Sequence, residues 1–198
     1  MEIPKHYIKT LEVPAAGIAL KDLTLPNNSL KLDTLPETSD LVSGVYEGGL
    51  KVWDCSIDLV HYIARNIDIV KGKTILEIGC GQGLPGVLAL KLGSTEVCFQ
   101  DYNPEVLNKA TLHVIELNHC SGLTHSLLPG DWLSLCKPNL QHKFKLILMS
   151  ETLYNLDYYD SLMAFIDFTL APDGVVIIGT KTYYYGLGGG YVQFQKYL

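Results

Sequence analysis

No stretch of about 18 apolar residues, the length that spans a bilayer as a helix, occurs in the 198 residues of the chain. Met1 to Thr10 carry Glu2, Lys5 and Lys9 and no apolar core of signal-peptide length, so neither a membrane span nor secretion is expected. Runs of Lys or Arg are equally missing, and the formal net charge is -6 with a pI near 5.4. A phosphate backbone would meet net repulsion, which argues against direct binding of nucleic acid. The five cysteines, Cys55, Cys80, Cys98, Cys120 and Cys136, are odd in number and widely spaced, with no Cys-x-x-Cys pair and no Cys/His clamp at zinc spacing. They read as reduced thiols of a cytoplasmic and nuclear protein, the nucleolus included, that holds no metal. His6, His61, His113, His119, His125 and His142 show no ligand spacing and read as structural or surface residues. Internal repeats and low-complexity tracts are absent too, apart from a Tyr- and Gly-rich segment at Tyr183 to Tyr185 and Gly188 to Gly190.

What is present is a 47% apolar composition in a chain of single-domain size, enough for one α/β core. From Met1 to Ser43 the prolines Pro4, Pro14, Pro26 and Pro36 and only short apolar groups predict an irregular or short-stranded N-terminal arm. Residues 44–198 are left as the folded domain. Asp54 is placed to cap a helix with apolar positions Ile57, Val60, Ile63, Ala64 and Ile67 at three- and four-residue spacing. Beyond it, short apolar runs predict strands at Thr74 to Ile78, Glu96 to Gln100, His125 to Leu128, Leu146 to Met149 and Val175 to Ile178. Helices are expected between them at Leu84 to Leu92, Pro104 to Asn118 and Asp157 to Leu170. Asn103-Pro104 starts the second of these, the Asn side chain accepting from first-turn amides. Gly174 would end the third in a left-handed conformation. Such β-α-β units predict a Rossmann-like, doubly wound, mostly parallel sheet.

The strand Thr74 to Ile78 runs into Gly79-Cys80-Gly81-Gln82-Gly83, where glycine lets the backbone turn sharply and a ligand approach. In a parallel sheet that crevice, beyond the carboxyl ends of the strands, is where ligands bind. Gly81-x-Gly83-x-x-Gly86 also fits a dinucleotide fingerprint, with Asp101 near the distance of a ribose-binding acid, and an NAD-dependent oxidoreductase is the competing enzyme class. Glu77 decides between them. A carboxylate just before the glycines would repel a pyrophosphate and hold a cationic ligand, and S-adenosylmethionine is cationic at sulfur and free of phosphate. Gln100, Asp101 and Tyr102 close the second strand, where Asp101 can accept both ribose hydroxyls. Gly130-Asp131-Trp132 follows the third, offering an acid and an aromatic face near adenine. Taken singly, each acid is equally a surface carboxylate capping a helix or loop, and Trp132 equally a core-edge aromatic.

These words resemble motif I and the following acidic position of the seven-strand, class I methyltransferases, over about Gly48 to Thr180. After the fourth strand, Ser150-Glu151-Thr152-Leu153-Tyr154-Asn155 meets the same crevice, and Glu151 and Tyr154 would share one face if the turn is helical. The alternative is a plain helix start. The segment resembles the acid-x-x-Tyr motif of the lysine-modifying methyltransferase-like group. Lys51-Val52-Trp53-Asp54 resembles that group's upstream cofactor-contacting segment, although Trp53 is equally a core anchor. With V-Y-E-G-G-L-K-V-W-D, L-L-P-G-D-W and G-T-K-T-Y-Y-Y-G-L-G-G-G added, the chain looks most like the eukaryotic histidine protein methyltransferases.

That resemblance implies S-adenosylmethionine held by Lys51, Val52, Trp53, Asp54, Glu77, Gly79, Gly81, Gln100, Asp101, Tyr102, Gly130, Asp131, Trp132 and Ser150. It implies Glu151 and Tyr154 at the chemistry, a protein substrate, and methylation at the tau nitrogen of a histidine in a large-subunit ribosomal protein. The enzyme is expected to act as a monomer. Histidine, with a reference pKa of about 6.5, is largely neutral at neutral pH and needs the correct tautomer more than deprotonation, a task for Glu151 as orienting acceptor and general base. Tyr154 would shape the pocket or share that hydrogen bond. A lysine acceptor would use the same carboxylate to hold its ammonium, so the motif leaves both acceptors open, as well as a binding module that transfers nothing. The Tyr/Gly segment is read as a lid over the acceptor. Class I sheets usually continue past the fifth strand with a helix and an antiparallel strand pair, whereas only Gly179 to Leu198 follow here, so those strands are expected to be missing.

Overall fold

The computed structural model describes residues 44–198; the predicted N-terminal arm lies outside the described residues. The strands are β1 (Thr74–Ile78), β2 (Glu96–Asp101), β3 (His125–Pro129), β4 (Phe144–Ser150) and β5 (Leu170–Gly179). They pair in the order β3-β2-β1-β4-β5, every pairing parallel. The helices are α1 (Asp54–Arg65), α2 (Leu84–Lys91), α3 over residues 104–117, α4 (Tyr159–Thr169) and α5 (Tyr191–Tyr197).

Period-2 alternation of apolar strand residues divides the core into two layers. Ile75, Val97, Phe99, Leu146 and Leu148 face α1, α2 and α3, packing with Val60, Ile63, Val87 and Val114. Leu76, Ile78, Cys98, Ile147 and Met149 face the other way, onto Leu162, Phe165 and Ile166 of α4 and Phe194 of α5. Helices on both faces of one parallel sheet make the doubly wound fold that the alternating pattern predicted.

The local corrections concern helix ends. Trp53, not Asp54, stands at the amino cap of α1, and Asp54 is its exposed first residue, where a negative charge suits the positive end of the helix. Asn103 caps α3 by backbone position only: its Oδ1 accepts from Glu47 N at 3.3 Å and its Nδ2 donates to Val45 O at 2.8 Å. The predicted uniform helix over α3 contains a π turn, Leu107–Thr111, which accompanies a hydrogen bond from the buried Thr111 Oγ1 to Gly81 O at 2.7 Å. Gly174 ends nothing, because α4 stops at Thr169 and β5 already begins at Leu170, pairing with Phe144. Gly174 lies within the strand irregularity, outside the left-handed region, where a Cβ would come 2.9 Å from Ala171 O.

Phe99 is wholly buried on β2, and its ring fills the space over Gly83 and Gly86. Phe99→Ala is expected to lower stability by about 3–5 kcal/mol, read from urea unfolding; a loss below about 1 kcal/mol would mean that the ring does not support the loop.

Candidate functional site

The chain leaves β1 through left-handed glycines, Gly79 at φ +60°, Gly81 at +52° and Gly83 at +72°. A Cβ on Gly81 would lie 2.9 Å from Gly49 O, so this loop and the Gly48-Gly49 segment pass too closely for any side chain. Glu77, expected to hold a cationic ligand, lies outside the cleft, because strand alternation turns it to the α2 side. Its Oε2 accepts from Gly86 N at 2.8 Å, and its Oε1 is buried without a partner. Burial raises its pKa to about 8, against the pull of the Gly86 hydrogen bond and with a smaller push from Asp101. The same bond ties α2 to β1 behind the cleft.

Gln100 joins three strand ends. Its Oε1 accepts from Gly79 N at 3.1 Å and Trp132 Nε1 at 3.0 Å, and its Nε2 donates to Gly130 O at 2.9 Å. Asp101 Oδ2 accepts from Gly81 N at 2.9 Å and Oδ1 from Asn103 N at 3.1 Å. A carboxylate has about four acceptor positions, so each oxygen keeps capacity for a ligand hydroxyl. Burial raises the Asp101 pKa to about 6, while the Asn103 and Gly81 amides pull it down. Asp131 Oδ1 accepts from Leu133 N and Ser134 N at 3.0 and 3.2 Å, which makes it a turn cap as well as a cleft residue. Trp132 packs edge-on to Tyr158 and against the α4-side core.

The segment from Gly44 to Trp53 closes one side of the cleft. Tyr46 and Leu50 pack on Val106 and Ala110 of α3, and Tyr102 Oη donates to Gly44 O at 3.2 Å. Trp53 Nε1 donates to Gly48 O at 3.0 Å, and Lys51 Nζ stands 4.7 Å from the Trp53 ring. Glu47 is the anchor sequence reasoning missed: Oε2 accepts from Tyr154 Oη, and Oε1 from Tyr158 Oη at 3.4 Å.

Glu151 sits past β4 at φ +58°, with its N donating to Gly179 O at 2.9 Å. Its Oε2 accepts from Tyr184 Oη, its Oε1 from Cys55 N at 3.4 Å, and Lys181 Nζ lies 3.6 Å from Oε1. The turn is not helical, so Glu151 and Tyr154 have separate partners rather than a shared hydrogen bond. Burial, and the carboxylate each donates to, raise the Tyr154 and Tyr184 phenols well above their ordinary range, keeping both neutral donors. Tyr184 is a second residue the sequence left unassigned beyond the Tyr-rich lid. The Tyr/Gly segment is docked on the motif, Gly189 N donating to Tyr154 O at 3.0 Å and Gly190 N to Leu153 O at 2.7 Å.

The cleft has a volume of about 270 Å³. Of the residues singled out from the sequence, Lys51, Val52, Trp53, Gly79, Gly81, Gln100, Asp101, Tyr102, Gly130, Asp131, Trp132, Ser150, Glu151 and Tyr154 line it, and Asp54 and Glu77 do not. The lining also includes Glu47, Gln82, Thr152 and Tyr184. Gln82 Oε1 and Thr152 Oγ1 are buried without a partner. Two unpaired polar atoms, a diol-capable carboxylate and an aromatic ring fit a nucleoside with a cationic amino-acid tail.

The model of a family described as lysine methyltransferase matches residues 17–185. The chain belongs to this family. The histidine protein methyltransferase 1 homolog of Dictyostelium discoideum is 40% identical over 166 residues, covering 84% of this chain and 53% of that protein. The homolog of Bos taurus is 36% identical over 238 residues, covering 99% and 64%. The chain thus spans 53–64% of the length of these relatives. Among solved structures, the ribosomal protein L11 methylase of Lactobacillus delbrueckii subsp. bulgaricus aligns with a TM-score of 0.56 at 22% identity, over 74% of this chain and 66% of that one. That likeness speaks for the fold, a class I methyltransferase sheet.

Glu77 carries a testable linkage. A carboxyl whose folded pKa is about 8 binds protons in the native state that the unfolded chain releases near 4.5, so stability falls as pH rises from about 4.5 to about 8 and is level above. The slope from this one group reaches up to about 1.4 kcal/mol per pH unit. Glu77→Gln is expected to flatten that part of a urea-unfolding pH series; an unchanged slope would mean that Glu77 ionises freely.

Proposed function

We propose that this chain is the S-adenosylmethionine-dependent catalytic domain of a protein-histidine N-methyltransferase, its acceptor a histidine of a large-subunit ribosomal protein. The observation that carries the reading is Glu151, a nearly buried carboxylate held in the same cleft as Asp101 and the glycine loop. The names of the relatives at 36–40% identity support histidine as acceptor, and the sequence resemblance supports the ribosomal substrate. The five unpaired thiols suit a reducing compartment, cytoplasm or nucleus.

Asp101 would take the ribose hydroxyls, Trp132 would flank the base, and Gln82 and Thr152 would meet the amino-acid end. The cofactor supplies an electrophilic methyl on a sulfonium. In-line displacement then depends on aiming a lone pair, which makes positioning the main catalytic contribution. Glu151 accepts the N–H of one imidazole nitrogen and leaves the other nitrogen's lone pair free. The carboxylate would stabilise the cation that the ring acquires as the N–C bond forms and the sulfonium S–C bond breaks to leave the neutral thioether, and would then take the ring's N–H proton. Tyr154, held by Glu47, walls the pocket as a neutral donor.

Glu151→Gln should bind S-adenosylhomocysteine within about threefold of wild type while methyl transfer to ribosomal protein falls by about 10²-fold or more. The readout is labelled cofactor followed by amino-acid analysis. Undiminished transfer by the variant, or label confined to methyllysine with wild type, would refute the assignment.

A further inference from the structure

The carboxylate assigned to the acceptor already has a cation of this chain's own. Lys181 Nζ lies 3.6 Å from Glu151 Oε1, with 41% of its side chain exposed, beside a carboxylate that lines the cleft. Its ammonium is 5.9 Å from the Trp53 ring and 5.9 Å from the Tyr184 ring. Lys51 stands over Trp53 as well, at 4.7 Å. Glu151 also meets the neutral Tyr184 hydroxyl on Oε2, Cys55 N on Oε1 and the Cys55 thiol, which burial and the neighbouring carboxylate keep neutral. The carboxylate thus faces one ammonium, while its hydrogen-bond donors carry no charge.

We propose that Lys181 is a specificity-determining residue, its ammonium neutralising Glu151 so that a cationic lysine acceptor is turned away while a neutral imidazole can still donate its N–H. An incoming ammonium within hydrogen-bond reach of Glu151 would stand next to Lys181, and like charges a few ångströms apart in a partly desolvated cleft repel strongly. A neutral ring meets no such repulsion as it enters, and it passes its N–H proton to Glu151 when charge develops on it. Selection by a charge set against the wrong acceptor is a general route to specificity. The inference rests on the placement of Glu151 at the acceptor, made above.

The test has two readouts, each on wild type, Lys181→Met and Lys181→Arg. In the first, n-butylamine and imidazole are titrated by NMR at about pH 8, where the amine is a cation and the ring is neutral, with S-adenosylhomocysteine present. Lys181→Met is expected to bind n-butylamine at least fivefold tighter than wild type, with imidazole changed by less than twofold, and Lys181→Arg is expected to exclude the amine as wild type does. Equal amine binding by all three proteins overturns the proposal. So does an Arg variant that behaves like the Met variant, because shape rather than charge would then decide.

In the second, label transferred to ribosomal protein is resolved into methylhistidine and methyllysine, and the lysine share is expected to rise at least tenfold in Lys181→Met. Methylhistidine from wild type with no rise in the variant removes only the role of Lys181. Methyllysine from wild type removes the histidine assignment as well as this inference, and absent turnover removes the activity while the amine titration still decides the charge.

Discussion

The cleft depends on the side-chain amide of Gln100, a buried joint among strand ends that have no covalent connection on that side of the sheet. In a parallel sheet each strand delivers its loop to the same edge from a separate crossover, so the loops must be registered by something other than the chain. Gln100 holds Gly79 after β1 and Gly130 and Trp132 after β3 through hydrogen bonds of 2.9–3.1 Å. Leaving one such buried group unpaired costs roughly 1–3 kcal/mol, which makes these two loops and the end of β2 mutually dependent. Asp101, the next residue, adds Gly81 and Asn103, and Asn103 in turn holds the Gly44 to Trp53 segment.

Burial in this joint divides the labour of two carboxyls that look alike in the sequence. Glu77, pushed up to about 8, is largely protonated at neutral pH and braces α2, whereas Asp101, pushed only to about 6, is largely ionised and faces the cleft. The difference follows from hydrogen bonding: burial pushes both up, but the backbone amides of Asn103, Gly81 and Tyr102 pull Asp101 down, whereas Glu77 has only the Gly86 amide and a buried oxygen left over. The negative charge assigned from sequence to the strand end therefore sits one strand over.

What the sequence made legible was local. Strands read as apolar runs matched β1 to β5 within a residue or two except at β5, whose first residues pair with Phe144 across a bulge that no apolar run marks. The glycine loop, Asp101 and Glu151 were readable because their chemistry is carried by a few adjacent residues. Glu47 escaped because its partners Tyr154 and Tyr158 lie 107 and 111 residues away, and nothing in spacing pairs them. Its one signal was its place in the word V-Y-E-G-G. Tyr184 was hidden similarly, as one tyrosine among three in a row, distinguished only when the chain doubles back from β5 to Glu151.

Glu151 shows why such distant contacts matter to the chemistry. A non-glycine residue at φ +58° is held against its own backbone preference, at a cost on the order of 1–3 kcal/mol, and persists only where its surroundings over-determine it. Here the backbone is fixed by Gly179 at the end of β5, and the side chain by Tyr184, Cys55 and Lys181. Those partners come from β5, α1 and the docked Tyr/Gly segment, and none comes from the six-residue motif that contains the acid. The motif supplies the carboxylate, but its direction is set by elements far apart in sequence. A fragment that kept Ser150 to Asn155 and lost Tyr184 would retain the acid and release its aim, and with an in-line transfer aim is most of what the protein contributes.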